Sequence, residues 1–536
     1  MDVDVLIVGA GPTGLALAEE LARFGVSFRI VDNGRGVTDL SKAIGVQART
    51  LETLDIMGLA DDLARRGNQA RSFHIYDGAD PILSLDFQGL DSRYPYLLVV
   101  PQSDTERVLA GKLNRLGILI EHETTLTHFT QDGQSVSAVV RGADGREQTI
   151  HTRWLVGCDG AHSAVRHGLN MPFEGQEYPE GFLLADVAVE WDKPSDELFL
   201  FLHEGWLTAF FALPNGRYRI IADLPPDDAP PDQKPALEEC QRLVDSRLPI
   251  SAKLSEPSWT AYYRVHRRIV PRLQDGRVFL VGDAAHIHSP AAAQGMNTGI
   301  QDAFNLGWKL ALVAQGYASE TLLRSYHTER YPVERAVLQG TDLLLRMVSL
   351  RKSAGRSLRN HLLPLVSATR PVQERVRERI SELSVQYNAS PIVLDCDHAG
   401  GPKAGERAPD GEMIAPNGAS VRIYEILRDG RFLMLIFSDQ GDTFDERFVA
   451  AALDLPAPLC SLVRRVIVTR REPSLEAMGG DVPVLHDAPG LVYERYGAVR
   501  PCVRIIRPDG YIGFRADIRL LKNGLFSFGG HLLGRF

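Results

Sequence analysis

The sequence predicts an α/β protein in which a parallel, nucleotide-binding sheet is interrupted by an antiparallel sheet and followed by a smaller α/β domain. Two segments predict the parallel sheet, because each is an apolar strand that runs into a turn: Val5-Leu-Ile-Val-Gly-Ala-Gly-Pro-Thr-Gly14 and Val278-Phe-Leu-Val-Gly-Asp-Ala-Ala-His-Ile-His-Ser-Pro290. The antiparallel sheet is predicted from the strand-rich stretch 180–263, where Asn215-Gly216 between two apolar runs indicates a hairpin.

Length and composition limit the class of protein. The chain has 536 residues, too many for one hydrophobic core, so we expect two or three domains. Its hydrophobic content of 44% and its charge of −9 are those of a globular protein without general affinity for nucleic acid or anionic lipid. We expect no membrane span and no secretory signal. Five cysteines without a CxxC pair disfavour a zinc site or a disulfide scaffold and indicate a reducing cytoplasm.

The amino-terminal turn predicts a dinucleotide-binding βαβ unit. Strands at 3–8 and 26–31 flank a helix at 15–24, which matches the length of this fingerprint. The three glycines of the turn allow, in order, a tight bend, the approach of backbone to a pyrophosphate and close packing of helix on strand. The first N–H groups of the helix attract phosphate, and the acid that ends the second strand can bind a ribose. The candidate contacts are Gly9, Gly11, Pro12, Thr13, Gly14 and Asp32.

Two further strand ends carry an acid. One strand runs into Cys158-Asp159-Gly160, and another ends at Gly282-Asp283. A carboxylate at a strand end accepts hydrogen bonds from the hydroxyls of a ribose or ribityl chain without crowding phosphate. Nucleotide-facing strand ends far apart in one chain therefore indicate a cofactor held at both ends, and we predict FAD.

The segment that opens at Gln294 predicts the next helix. The N–H groups of Gly295, Met296 and Asn297 could face the pyrimidine edge of a flavin, where the positive end of the helix would stabilise the anion of the reduced ring. Met296 also fits a buried helix face, so the role of its side chain stays open.

In order and spacing, the segments 9–14, 158–160 and 282–283 resemble those of the FAD-dependent aromatic hydroxylases, the single-component class A flavoprotein monooxygenases. The likeness covers roughly residues 1–350. From 395 onward the chain resembles, more loosely, the thioredoxin-like tail of the phenol and polyketide hydroxylase branch. Because this tail has no CxxC pair, we expect it to be structural and not redox-active.

The resemblance implies the domains and their contacts. Residues 1–175 and 270–390 would form a Rossmann-like FAD-binding domain, 176–269 an inserted antiparallel substrate domain, and 397–536 a thioredoxin-like α/β domain. Asp283 would bind the ribityl or ribose hydroxyls of FAD, Asp159 both FAD and the nicotinamide donor, and Gln102 the flavin phosphate region. Lys42 lies where relatives commonly place Arg or His. Pro290 matches a proline whose carbonyl lies near substrate and flavin.

The activity implied by the resemblance is hydroxylation of a phenolic or polycyclic aromatic compound with NAD(P)H and O2, through a C4a-hydroperoxyflavin. This chemistry needs a dry aromatic pocket more than a catalytic acid or base. Phe201 and Phe211 on the inserted sheet could line that pocket, although each also fits ordinary sheet core. No catalytic residue stands out; the candidates to assist phenol deprotonation are His203, Tyr262, His266, His286 and His288.

Two other functions remain open at this point. One is an FAD reductase or oxidase that inserts no oxygen, and the other is a non-catalytic relative that binds an aromatic metabolite. The partners expected for the hydroxylase are a small aromatic substrate and O2, and a homodimer is possible.

Overall fold

The computed structural model describes residues 1–37, 43–225, 228–230, 233–288, 294–348, 369–440, 443–444, 446–470 and 482–534. Three sheets of eight strands each organise these residues. Within them, no helix combines the length and the apolar character that crossing a membrane requires.

The first sheet has a parallel centre, as the sequence predicts. Its order is Gln274–Asp275, Val278–Leu280, Glu147–Gly157, Val3–Val8, Phe28–Val31 and Ile120–Glu121, and Val136–Arg141 and Thr125–Gln131 extend it as an antiparallel flap. The helices Pro12–Arg23, Gln102–Arg115 and Gly295–Ala314 pack together beside it. Val5 and Leu6 are fully buried at its centre, so burial of both sheet faces explains the apolar runs in these strands.

Strand register brings the motif-bearing ends of the first sheet to one level. Val8 pairs with Gly157, and Gly157 pairs with Leu280, in parallel ladders. The glycine-rich turn, the Asp159 turn and the Asp283 turn therefore leave the same edge of the sheet. This edge is where doubly wound sheets bind their ligands.

The second sheet has the order His286–Ile287, Lys253–Ile269, Glu174–Glu190, Arg217–Leu224, Trp206–Ala212, Glu197–His203, Ser72–Asp77 and Asp80–Asp86. Its pairings are antiparallel except between Glu197–His203 and Ser72–Asp77. The predicted hairpin at Asn215-Gly216 is confirmed, since both residues have positive φ and join two antiparallel strands. The last two strands come from chain that precedes the predicted insert.

The two faces of the second sheet have different partners. The outer face, covered by the helix Leu237–Arg247, carries Leu183, Phe199, Phe201, Phe210, Tyr218, Ile220 and Tyr262. The inner face carries Phe182, Leu184, Ala209, Phe211, Arg219, Ile221 and Tyr263, as strand alternation and register dictate. Phe211 packs with Ile44 and Val99 of the first part of the chain. The inner face therefore looks toward the nucleotide-binding part.

The third sheet is mixed, with the order Leu394–Cys396, Ile512–Asp517, Cys502–Ile506, Phe432–Phe437, Val463–Thr469, Val484–His486, Glu412–Ile414 and Ser420–Arg422. One continuous hydrophobic core joins it to the first sheet, and the Trp308 ring meets the Phe432 ring edge-on at 5.6 Å. Its helices are Ile423–Ile426, Glu446–Leu453, Ala457–Leu462, Leu491–Arg495 and Leu521–Leu533.

Smaller elements connect these sheets. A three-stranded sheet joins Gly45–Val46, Leu97–Val99 and Asn68–Ala70, and a two-stranded one joins Asp439–Gln440 and Thr443–Phe444. The other α-helices are Ala48–Ile56, Ala60–Ala64, Ala164–Gly168, Arg324–Val348 and Arg370–Ile380, and short 3-10 turns lie at Pro214–Gly216, Gly282–Ala284, Glu320–Leu323 and Leu427–Asp429.

Candidate active site

The three glycines of the first turn have different neighbours. Gly9 has a φ of 102°, and a Cβ there would lie 2.4 Å from the carbonyl oxygen of Cys158. A Cβ on Gly14 would lie 1.9 Å from the carbonyl oxygen of Gly9. A Cβ on Gly11 meets no atom within 4 Å. Protein packing therefore requires Gly9 and Gly14, whereas Gly11 borders space in which a ligand can approach the backbone.

The helix Pro12–Arg23 presents an uncapped amino end beside that space. Gly11 is its N-cap and has no side chain to accept from the first N–H groups, and Pro12 occupies the opening position. These N–H groups and the positive end of the helix dipole favour an anionic ligand. Thr13 packs against two other segments of the site, since a Cβ on Gly282 or on Gly299 would lie 2.7 or 2.5 Å from its Oγ1.

Asp32 fixes the shape of the glycine-rich turn. Its Oδ2 accepts from the Ala10 N–H at 2.6 Å, and its Oδ1 accepts from the Gly34 N–H at 2.7 Å. The side chain is only partly buried. Each carboxylate oxygen can accept a second hydrogen bond, so Asp32 can hold the turn and bind a ribose hydroxyl at once.

The other two strand-end acids lie on the same edge. Asp159 accepts from the Val165 N–H with Oδ2 at 3.2 Å, while its buried Oδ1 has no hydrogen-bond partner among the described residues. Burial raises the pKa of Asp159. Asp283 is exposed. Between them, Arg166 donates to the carbonyl oxygens of Ala161 and Ala284 and so ties the two turns together.

The helix Gly295–Ala314 also begins without a side-chain cap, and its N-cap residue is Gln294. The Asn297 side chain does not point into free space: its Oδ1 accepts from the Gln47 N–H and its Nδ2 donates to the Gly45 carbonyl, both at 2.9 Å. Met296 is partly buried against the main core. Gly295 lies near His288, whose ring a Cβ at this position would meet at 3.5 Å. What this end offers a ligand is therefore its backbone N–H groups.

Of the remaining predicted contacts, Gln102 belongs to the described residues and the other two do not. Gln102 opens the helix Gln102–Arg115, accepts from the Ala43 N–H at 3.2 Å and donates to Glu106 at 2.9 Å. Lys42 and Pro290 lie outside the described residues.

The two predicted pocket phenylalanines face opposite ways. Phe201 is 1% exposed on the outer face, stacked on Tyr76 at 5.3 Å and edge-on to Phe210. This environment is that of a core residue. Phe211 lies on the inner face, packs with Ile44, and pairs in register with Arg219. Of the two, Phe211 is the one placed to line a pocket.

The candidates for deprotonation are spread widely. His203 is exposed at a strand end, and Tyr262 donates to Glu239 on the outer face. The ring of His288 stacks parallel to that of His286 with centroids 6.2 Å apart. His266 is half-buried on the long strand Lys253–Ile269.

His286 belongs to a buried ionic cluster that sequence reasoning missed. Its Nε2 donates to Asp302 at 2.8 Å and lies 3.6 Å from Glu334, while Asp302 also accepts from Arg330 at 2.6 Å and from the Gly282 N–H at 3.3 Å. Burial opposes the charged imidazolium, but the carboxyls of Glu334 and Asp302 outweigh it and raise the pKa of His286 to about 9. Through the Gly282 N–H, the cluster stabilises the turn that carries Asp283.

The residues at this edge suit FAD. The two helix ends without a side-chain cap and the open space at Gly11 can accommodate a pyrophosphate and the edge of a flavin. The carboxylates of Asp32 and Asp283 can accept hydrogen bonds from hydroxyls, and Asp159 has a buried oxygen without a donor among the described residues. A nucleotide with hydroxyls on both sides of a pyrophosphate satisfies all of these groups.

Comparison with known proteins agrees with this geometry. Residues 2–341 match the family described as FAD binding domain. The chain is 35% identical to pentachlorophenol 4-monooxygenase of Sphingobium chlorophenolicum, over 96% of this chain and 94% of that protein. It is also 35% identical to 6-methylpretetramide 4-monooxygenase of Streptomyces rimosus, over 96% and 90% of the two chains. A solved aklavinone-11 hydroxylase in complex with FAD and aklavinone superposes with a TM-score of 0.77 at 25% identity, covering 100% of this chain and 99% of that one.

Proposed function

The chain belongs to the family of FAD-dependent aromatic monooxygenases, and we propose that its substrate is a phenolic or polycyclic aromatic compound bound over the inner face of the second sheet. The resemblance predicted from the turn motifs is thereby confirmed. The single observation that carries the proposal is the register Val8–Gly157–Leu280, which gathers three nucleotide-facing turns at one edge. The inner face looks toward that edge.

The cofactor contacts that we propose follow from the geometry. The N–H groups after Gly11 would bind the pyrophosphate, Asp32 and Asp283 would accept from hydroxyls at its two sides, and Asp159 would use its orphaned oxygen. The N–H groups that begin the helix Gly295–Ala314 would meet the flavin edge. FAD bound here supplies the redox chemistry, since it accepts electrons from NAD(P)H and activates O2.

The remaining task of the chain is to orient the aromatic ring and exclude water. The apolar side chains of the inner face include Phe182, Leu184, Ala209 and Phe211. A dry, fixed ring geometry raises the rate of attack and suppresses loss of the activated oxygen to solvent. We assign the role of a base in this step neither to Tyr262, whose hydroxyl donates to Glu239 on the outer face, nor to the described histidines.

We further propose that each domain has a separate role. Residues 1–175 and 270–390 bind FAD, 176–269 supply most of the sheet that faces the substrate, and 397–536 form a thioredoxin-like domain with a structural role. Cys158, Cys240, Cys396 and Cys502 form no disulfide, which supports the structural role and a cytoplasmic location. Light scattering on the purified holoenzyme tests whether it is a monomer or a homodimer.

One set of assays tests the function. The purified protein should carry a flavin absorbance spectrum, or acquire it on titration with FAD. NAD(P)H loss, O2 consumption, peroxide and oxygenated product are then followed with simple phenols and with polyketide-like aromatics. Substrate-stimulated turnover with an oxygenated product supports the proposal. Peroxide without product across both groups of compounds favours an oxidase, and FAD binding without NAD(P)H oxidation favours a binding protein.

A further inference from the structure

Two adjacent tyrosines on the strand Lys253–Ile269 point to opposite faces of the second sheet. Tyr262 lies on the outer face, where its hydroxyl donates to Glu239 of the covering helix. Tyr263 lies on the inner face, where its ring stacks on Phe182 with centroids 5.4 Å apart. The Tyr263 hydroxyl oxygen is buried and has no hydrogen-bond partner among the described residues.

The inner face around Tyr263 is ordered in rows by the strand register. One row pairs Phe211 with Arg219, and Arg219 with Asp186. The row beside it holds smaller, aliphatic side chains: Ala209, Ile221, Leu184 and Ala261. The third row contains the stacked pair Phe182 and Tyr263. The middle row of aliphatic side chains therefore lies between the row of Phe211 and Arg219 and the row of Phe182 and Tyr263.

The ion pair of Arg219 with Asp186 does not satisfy this hydroxyl. Arg219 is 0% exposed and is held by Asp186 through two hydrogen bonds of 2.6 Å each. Burial raises the pKa of Tyr263, and the positive charge of Arg219 only partly opposes this. The phenol therefore keeps its proton and is a hydrogen-bond donor.

A buried hydroxyl without a hydrogen-bond partner destabilises the fold, whereas a phenylalanine would fill the same space without that cost. The hydroxyl also lies on the face to which the ring of the substrate is assigned. Resting on the function proposed above, we propose that Tyr263 donates a hydrogen bond to an oxygen substituent of the aromatic substrate. Tyr263 is then a specificity-determining residue that selects oxygen-bearing rings over the same rings without oxygen.

The test compares Tyr263→Phe with Tyr262→Phe as the matched control on the outer face. Binding to the holoenzyme is measured by perturbation of the flavin absorbance and by equilibrium dialysis. The probes are two pairs that differ by one oxygen: 1-naphthol with naphthalene, and 2,4,6-trichlorophenol with 1,3,5-trichlorobenzene. FAD affinity and melting temperature of each variant report on the fold.

We expect Tyr263→Phe to bind each phenol about tenfold more weakly while its affinity for the deoxygenated partner stays within about twofold. Tyr262→Phe should keep the wild-type preference. If Tyr263→Phe kept the wild-type preference for the phenols, the assignment would be overturned. An equal loss of affinity for both members of a pair would also overturn it, because such a loss indicates ring packing alone. Failure of the proposed function is separately visible, because wild type would then show no phenol-stimulated NAD(P)H oxidation.

Discussion

The side chain of Asn297 donates from Nδ2 to the carbonyl oxygen of Gly45 at 2.9 Å and ties the first turn of the helix Gly295–Ala314 to the strand Gly45–Val46. A second bond, from the Gln47 N–H to Asn297 Oδ1, completes the clamp. The clamp holds the amino end of this helix against the segment that also packs on Phe211. It thereby fixes the distance between the proposed flavin edge and the proposed pocket wall.

Asn297→Ala should weaken FAD binding, although we assign no cofactor contact to the Asn297 side chain. Two buried backbone groups would lose their partners, at a cost of about 1–3 kcal/mol each. FAD affinity measured by flavin fluorescence should fall at least about tenfold, and the melting temperature should fall as well. Asn114→Ala, at an exposed helix position, is the control. A wild-type FAD affinity in Asn297→Ala would show that the clamp does not position the helix end.

Substitutions at Gly11 and Gly14 should separate cofactor binding from folding. A methyl group on Gly14 collides with backbone, so Gly14→Ala should be destabilised or fail to accumulate as folded protein. A methyl group on Gly11 meets no protein atom within 4 Å, and φ there is −72°, which alanine adopts freely. Gly11→Ala apoprotein should therefore melt within about 1 °C of wild type. Its FAD titration should show an affinity at least about tenfold lower, because the methyl group occupies the approach to the pyrophosphate. Wild-type FAD affinity in Gly11→Ala would contradict the proposed phosphate site.

The sequence was sufficient for the features that depend on local chemistry. The glycine-rich turn, the strand-end acids and the Asn215-Gly216 hairpin each follow from short-range rules of backbone geometry. The two-residue turn at Glu204-Gly205, where both φ angles are positive, also sets a register in which Phe201 and Phe210 share a face. Phe201 could therefore have been separated from Phe211 before the structure was known.

The pairing of strands that lie far apart in the chain could not be predicted from the sequence. Nothing local in 72–86 indicates that these strands extend the second sheet, because their partner Glu197–His203 lies far along the chain. The face of that sheet that looks toward the cofactor edge is likewise set by tertiary packing. The sequence therefore could not show that Tyr263, and not Tyr262, lies on the side of the proposed pocket. The His286–Asp302–Glu334 cluster joins a strand end to two helices, and no spacing rule connects them.

The buried Glu334 predicts a pH dependence of stability. Burial raises the pKa of Glu334 from 4.5 to about 8, although His286 opposes the shift. The folded state thus holds a proton that the unfolded chain releases above about pH 4.5, so stability falls as pH rises toward 8. Glu334→Gln cannot ionise and should be more stable than wild type at pH 8.5, by at least about 1 kcal/mol.

Thermal melting of Glu334→Gln and wild type between pH 5 and 9 measures this effect. The difference in melting temperature should grow with pH and be near zero or reversed at pH 5. Glu374→Gln, at an exposed helix position, should show no such trend. A difference that stays constant over this range would mean that the proton on Glu334 is not linked to folding.

A second buried carboxylate joins the carboxyl-terminal domain to the cofactor helices. Glu329 accepts from Arg507 through two bonds of 2.7 and 2.9 Å, from Lys309 at 2.7 Å and from Asn305 at 2.6 Å. Burial by itself would raise the pKa of Glu329, but the charges of Arg507 and Lys309 outweigh it and hold the pKa well below its usual range. Because these donors surround a charge, Glu329→Gln removes the carboxylate that Lys309 and Arg507 share, and among the described residues only Arg507 keeps a second ion pair, with Asp509. Such a loss costs about 3–5 kcal/mol.

Urea unfolding of the holoenzyme at pH 7 should therefore show Glu329→Gln markedly less stable than wild type. Glu320→Gln, which removes the 54%-exposed partner of Arg277, should change stability by no more than about 1 kcal/mol. A depressed pKa contributes stability above about pH 4.5 that is lost on acidification, so the gap between wild type and Glu329→Gln should narrow below that pH. If the gap at pH 7 were as small as that of Glu320→Gln, this ionic contact would not anchor the carboxyl-terminal domain. The shared hydrophobic core around Trp308 and Phe432 and the other ion pairs, such as Arg407 with Glu52, would then hold it in place.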